Sequence, residues 1–378
     1  MKKALFCFFA VILIASLLSV EIFADKVYEY ELSDGGVSKT QGEVSDFFES
    51  LPDEIKEELP ESREDISEYD VAFFEEKVKD AIGKAAGPAL ETVALLLFAI
   101  IFSSLFSMLA DTVAGASLKS AFSFCASLCM ALCMWGVMEK VLGTACALLD
   151  TMTSTMLLYV PAMEAVYISS GNLTASAVSA TGLNLMISFG EALFSKVLAP
   201  CVNGMFILAV ISVVTGDRGV AYMTKTIRGI VTGGVIAVMT LMTFVLSLQS
   251  AGGAAQDGFF RKTVKFAIGN YLPFVGAAVA DSFSVLSSSL DIIKHACGIG
   301  GIAAIAVAFF APFAVILMSR IAIGFSGAMA EVLGCITESK LLEECKGICT
   351  LLLATCAGGA VMYVIALGLF CKTPISFV

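Results

Sequence analysis

The sequence predicts an all-α, polytopic membrane protein, and three observations lead there. Apolar residues fill 58% of its 378 positions and charged ones 15%, whereas a soluble domain carries roughly 45–50% and about 25%. Mean hydropathy is +0.90. A membrane-crossing helix needs roughly 20 mostly apolar residues, and the runs 89–109, 120–138, 197–215, 229–248, 298–319 and 347–370 all supply them. Between them, 141–165, 174–196, 266–293 and 321–336 are apolar but broken by polar residues. These read as interleaved amphipathic helices that lie at the interface, re-enter, or span with a polar face against protein. The total expected is about 6–8 spans.

The N-terminal 24 residues have the form of a secretory signal peptide: Lys2 and Lys3, an apolar run over 4–20, and Ala24 at the cleavage position. The alternative is an uncleaved signal anchor. Either places the next segment outside the cytoplasm. Residues 25–84 hold nineteen Asp and Glu against seven Lys and Arg, so the low pI belongs to this stretch. So few apolar positions build only a thin core, and an acidic, mostly helical extracytoplasmic segment is expected. Its Phe47, Phe48, Phe73 and Phe74 are candidates for docking to a partner, the alternative being a solvated spacer.

The polytopic domain, 85–378, carries an apparent internal repeat of about 112 residues, with units near 85–140, 159–250 and 271–372. Gly87-Pro88, Ala199-Pro200 and Ala311-Pro312 recur at that interval, as do Tyr159-Val160-Pro161 and Tyr271-Leu272-Pro273. Arg228-Gly229-Ile230-Val231-Thr232 is echoed by Lys346-Gly347-Ile348-Cys349-Thr350. Repeated membrane domains commonly build a site or pathway where the copies meet. Topology is only partly fixed by charge. Arg218, Lys225 and Arg228 suit a cytoplasmic loop, but Arg261, Lys262 and Lys265 then fall on the wrong side.

Polar residues inside membrane helices are costly and therefore informative. Asn184, Ser188, Glu191 and Ser195 recur at helical spacing, as do Asp281, Ser284, Ser288 and Asp291. Asp150, Ser154 and Thr155 hint at a third such stripe. Stripes of this kind line an aqueous path, or else face water at the membrane surface or pack between helices. The cysteines at 125, 129 and 133, and at 345, 349 and 356, read as small residues at helix contacts. Zinc needs four converging ligands, and no metal site or cofactor is expected. No phosphate-loop motif and no His-Glu-x-x-His occurs, and the chain has one histidine. An enzyme is not expected. Without a basic stripe, neither is nucleic-acid binding.

The order of parts, together with residues 263–276 (Thr-Val-Lys-Phe-Ala-Ile-Gly-Asn-Tyr-Leu-Pro-Phe-Val-Gly, continuing to Asp281) and 159–171, resembles the stage III sporulation protein AE family of endospore-forming bacteria. The resemblance covers about 85–372, and in the exported segment extends only to character. It implies the membrane platform or pore subunit of a secretion-like channel complex between mother cell and forespore, located in the mother-cell-derived membrane around the forespore. The implied partners are the other stage III A-complex subunits, including a secretion-type ATPase and ring-forming subunits. A homo-oligomer is also compatible. The rival readings are a self-contained secondary transporter, with Glu191, Asp281 or Asp291 carrying protons, and a non-conducting assembly scaffold.

Overall fold

The computed structural model describes residues 49, 51, 53–56, 59, 71–113, 116–169, 173–215, 219–220, 222–242, 244–245 and 276–372. Among these no strand occurs. The elements are α1 (Asp53–Lys56), α2 (Val71–Val113), α3 (Ala116–Ser169), α4 (Leu173–Glu191), a π-helical stretch (Ala192–Leu198), α5 (Ala199–Thr215), α6 (Tyr222–Met242), α7 (Gly276–Val332) and α8 (Ile336–Lys372). Among the described residues six helical segments are long and apolar enough to cross a membrane, within the expected range. The signal-like residues 1–24 and the Tyr271-Leu272-Pro273 motif lie outside the described residues.

Two of the interleaved segments, 141–165 and 321–336, are not separate elements, while part of 266–293 lies outside the described residues. Residues 141–165 continue the preceding apolar run as one 54-residue helix, α3. Segment 174–196 leads through the π stretch into α5, and 321–336 prolongs α7. The reason is local: Glu139 and Lys140, which separate two of the runs, are good helix formers. Polar interruptions change what a helix faces, not where it stops.

Three interior prolines are tolerated within long helices, Pro88, Pro161 and Pro312. The fourth has a visible local effect. Pro200 lacks an N–H and crowds the carbonyl four residues earlier, and the seven residues just before α5 widen into π-helix.

The boundary expected near residue 84 falls inside α2, which runs unbroken from Val71. Leu51, Ile55 and Leu59 around α1 are buried in the same apolar core as α3, α7 and α8. The described part of the acidic segment is therefore packed onto the polytopic domain.

α8 is the central helix. It packs against α3, α5 and α7, and most of its apolar length is covered by protein. Tyr363, fully buried, shares a 3.0 Å hydrogen bond with Thr153 of α3. Cys349 lies 4.0 Å from the Met138 sulfur. Tyr159, also fully buried, lies on the bare backbone of Gly301, where a Cβ would collide with its ring and hydroxyl.

The turn between α7 and α8 is a complete Schellman cap. Gly334 adopts φ 75°, its N–H donates to the Glu331 carbonyl at 3.1 Å, and the Cys335 N–H donates to that of Ala330 at 2.9 Å. α8 then starts on Ser339 N–H to Cys335 carbonyl, 3.0 Å.

Candidate functional site

α4 packs its Ala180, Leu183, Met186 and Ile187 inward, against α3. Asn184, Ser188 and Glu191 are all exposed, on the flank next to that buried strip, Asn184 and Glu191 each one turn on from a buried residue. These three residues share one exposed flank of α4. Ser195 sits within the π stretch. On α3, Asp150 and Ser154 are likewise exposed. Thr155 is buried and satisfied internally, donating to the Thr151 carbonyl at 2.7 Å.

Asp281, Ser284, Ser288 and Asp291 fall on the first turns of α7, with side chains outside the described set. Phe47 and Phe48 are outside the described residues altogether. Phe74 is buried, edge-on to Phe310 of α7 with centroids 6.5 Å apart. Phe73 meets Phe74 at 5.3 Å and lies partly buried under the Lys77 ammonium. For Phe74, then, the surface that covers the ring belongs to this chain.

A second polar group was not anticipated from the spacing of stripes. It lies where α7 turns into α8. Ser103 of α2 donates to the Glu338 carboxylate at 2.7 Å, both residues buried. Arg228 of α6 pairs with Glu344 at 3.2 Å, the two side chains 25% and 12% exposed. Arg320 Nε donates to Thr350 Oγ1 at 2.8 Å, and that hydroxyl donates to the Lys346 carbonyl at 2.8 Å. Ser339 donates to Glu331 at 3.2 Å. Ser326, fully buried nearby on α7, has no hydrogen-bond partner for its hydroxyl among the described residues.

These contacts tie four helices together through charged groups, in segments otherwise apolar enough to span. In a low-dielectric setting such pairs hold only with both partners in place. The echo of 228–232 in 346–350 marks two segments that the fold sets side by side: Arg228 lies on the bare backbone of Gly347, where a Cβ would strike the guanidinium.

The buried Cys345, Cys349 and Cys356 sit within the packed interior of α8. Among the described residues, no group of His, Cys, Asp or Glu has the arrangement to hold a metal ion.

Comparison with known proteins adds an identity. A curated relative named "Stage III sporulation protein AE", from Bacillus subtilis (strain 168), is 28% identical over 155 residues, 41% of this chain. The match spans 39% of the relative's own length. No solved structure matches. The family profile described as "Stage III sporulation protein AE" matches residues 54–373, which takes in every helix described from α2 to α8. The chain belongs to the stage III sporulation protein AE family.

Proposed function

We propose that this protein is the membrane platform or pore subunit of a secretion-like channel complex between mother cell and forespore, required for endospore development. It would reside in the mother-cell-derived membrane, with residues 25–84 extracytoplasmic. It would work with the other stage III A-complex subunits, a secretion-type ATPase and ring-forming subunits among them. Family membership supplies the sporulation setting. The observation that carries the pore reading is the exposed face of Asn184, Ser188 and Glu191 on a segment long and apolar enough to span. A carboxylate and an amide facing hydrocarbon cost several kcal/mol together, so that face needs water or protein against it. The sequence carries no phosphate-loop motif, which suits a subunit that relies on a partner ATPase.

The test is spore yield from a strain carrying Glu191→Ala and Asp291→Ala, with the protein's abundance followed alongside. A lowered yield at normal abundance is expected. A normal yield favours the scaffold reading, and substrate uptake by vesicles holding this chain alone favours the transporter.

A further inference from the structure

The depth of the α7–α8 turn can be read from its neighbours. Cys335, in the turn, lies 3.9 Å from the carbonyl of Ile100, and Glu338 of α8 takes its hydrogen bond from Ser103. Ile100 is midway along the apolar run 89–109 of α2. That run shows a lipid-facing surface: Leu90, Leu95, Phe98, Ile101, Leu105 and Leu109 are each at least 44% exposed. From Ile100 the helix continues thirteen residues to Val113, about 20 Å at 1.5 Å per residue.

α3 gives the same answer. It runs parallel to α8, with Met138 beside Cys349 and Thr153 beside Tyr363. That register sets the start of α8 beside residue 125 of α3, so the first turns of α3 also extend beyond the α7–α8 turn. The turn stops about halfway down a hydrocarbon-facing hairpin.

The most apolar part of α7 does not compensate. Phe310 is held against Phe74, level with the charged turns of α2 that carry Glu75, Lys79, Asp80 and Lys84. Across 298–319 the described large apolar side chains are buried or half-buried, and none is fully exposed. The exposed ones lie further along, Ile321 and Phe325 on the last turns of α7 and Val332, Leu333 and Ile336 at the turn itself. Exposed beside them are Glu331, Lys340 and Glu343 and the non-helical backbone of Leu333 and Gly334. Irregular backbone and charge persist at membrane depth only where protein covers them or water reaches them.

We propose that α7 and α8 form a re-entrant hairpin whose exposed tip, residues 331–334 and 336, lines a water-filled vestibule open to the membrane face where α2 turns into α3. Its occupants are water and small hydrated solutes, with Glu331, Lys340 and Glu343 supplying the polar wall. This deepens the pore reading above and rests on it.

The test uses the full chain in lipid nanodiscs, retaining the buried Cys335, Cys345, Cys349 and Cys356 and replacing the other cysteines. Single cysteines enter as Glu331→Cys, Leu333→Cys and Ile336→Cys, with Phe98→Cys, Leu105→Cys and Leu109→Cys on α2 as lipid-facing references. The parent without an added cysteine sets the baseline. A charged, membrane-impermeant thiosulfonate should modify the tip positions roughly ten times faster than Phe98→Cys. Nitroxides at 105 and 109 should be relaxed by oxygen rather than by a water-soluble nickel chelate.

Equal, slow modification at 331, 333, 336 and 98 overturns the vestibule, whether lipid or a second protein seals the tip. Nickel access at 105 and 109 overturns it too, because the tip would then lie at the membrane surface. The assay needs no sporulating cell. A dry tip alongside a sporulation defect from the Glu191 and Asp291 variants would sink this proposal and leave the pore reading standing.

Discussion

Arg228 of α6 reaches across to α8, pairs with Glu344 at 3.2 Å and lies on the uncovered backbone of Gly347. A planar guanidinium needs a flat bed as well as a counter-charge, and a glycine one turn past the carboxylate gives it both. α6 has few other anchors: most of its apolar surface is exposed, with Val235 the one apolar residue fully in the core. Met239 on Gly358, eleven residues further along both helices, repeats the arrangement. The two helices are thus parallel and pinned at two glycines.

Removing either charge should release α6. Arg228→Ala leaves Glu344 nearly buried and uncompensated, a loss expected at about 2 kcal/mol after allowing for partial exposure. Glu344→Ala should cost a similar amount. The double variant should cost less than the sum, because neither charge is then stranded. Thermal unfolding of the four detergent-solubilised proteins measures this. Strict additivity would mean that the pair contributes nothing as a pair.

Gly347→Val tests the bed rather than the charge. Its Cβ would occupy the guanidinium position, so the pair must break even though both charges remain. Destabilisation comparable to Arg228→Ala, about 1–3 kcal/mol, is expected. Adding Gly347→Val to Arg228→Ala should then change little. A large further loss would show that the valine disturbs something other than Arg228.

Tyr159 and Gly301 make a second such contact, in the core. Gly301→Ala puts a Cβ into the Tyr159 ring and hydroxyl, and a loss of about 1–3 kcal/mol is expected. Because ring carbons as well as the hydroxyl are struck, Tyr159→Phe should not restore stability to Gly301→Ala. Tyr159→Leu should restore part of it. Melting temperatures of the single and paired variants decide, and rescue by phenylalanine would mean that the hydroxyl alone fills the space.

The helical, membrane-spanning class was plain in the sequence, because apolar runs of bilayer length have one economical solution in lipid. The face carrying Asn184, Ser188 and Glu191 was legible too, since a period near 3.6 needs no tertiary information. What periodicity cannot report is where a helix ends. The segment at 141–165 looked separate because Glu139 and Lys140 precede it, yet two charges do not terminate a helix. Nor can it report long-range partners. Ser103 and Glu338 are 235 residues apart, and nothing local distinguishes that serine from Ser104 beside it. Phe74 looked exposed because its neighbours in sequence are charged, whereas its ring is covered by Phe310 from a helix far along the chain.

The pairing of Ser103 with Glu338 yields a graded prediction. The carboxylate is 6% exposed and takes a 2.7 Å bond from the serine hydroxyl. Ser103→Ala removes that donor and leaves the acceptor buried, a loss of about 1–3 kcal/mol. Glu338→Gln keeps an acceptor oxygen at the same reach and should lose less. Combining Ser103→Ala with Glu338→Leu removes both polar groups, and should recover much of what Ser103→Ala costs. If the double variant were the least stable, Glu338 would be held by more than its serine, and the search would move to its other neighbours at the tip. Denaturant titration of the purified chain orders the three. The same variants bear on the hairpin tip, because the Ser103 bond, beside the contact of Cys335 with the Ile100 carbonyl, ties the start of α8 to α2. A stable Ser103→Ala, Glu338→Leu protein with unchanged cysteine modification at residue 333 would separate the tip's position from the bond that fixes it.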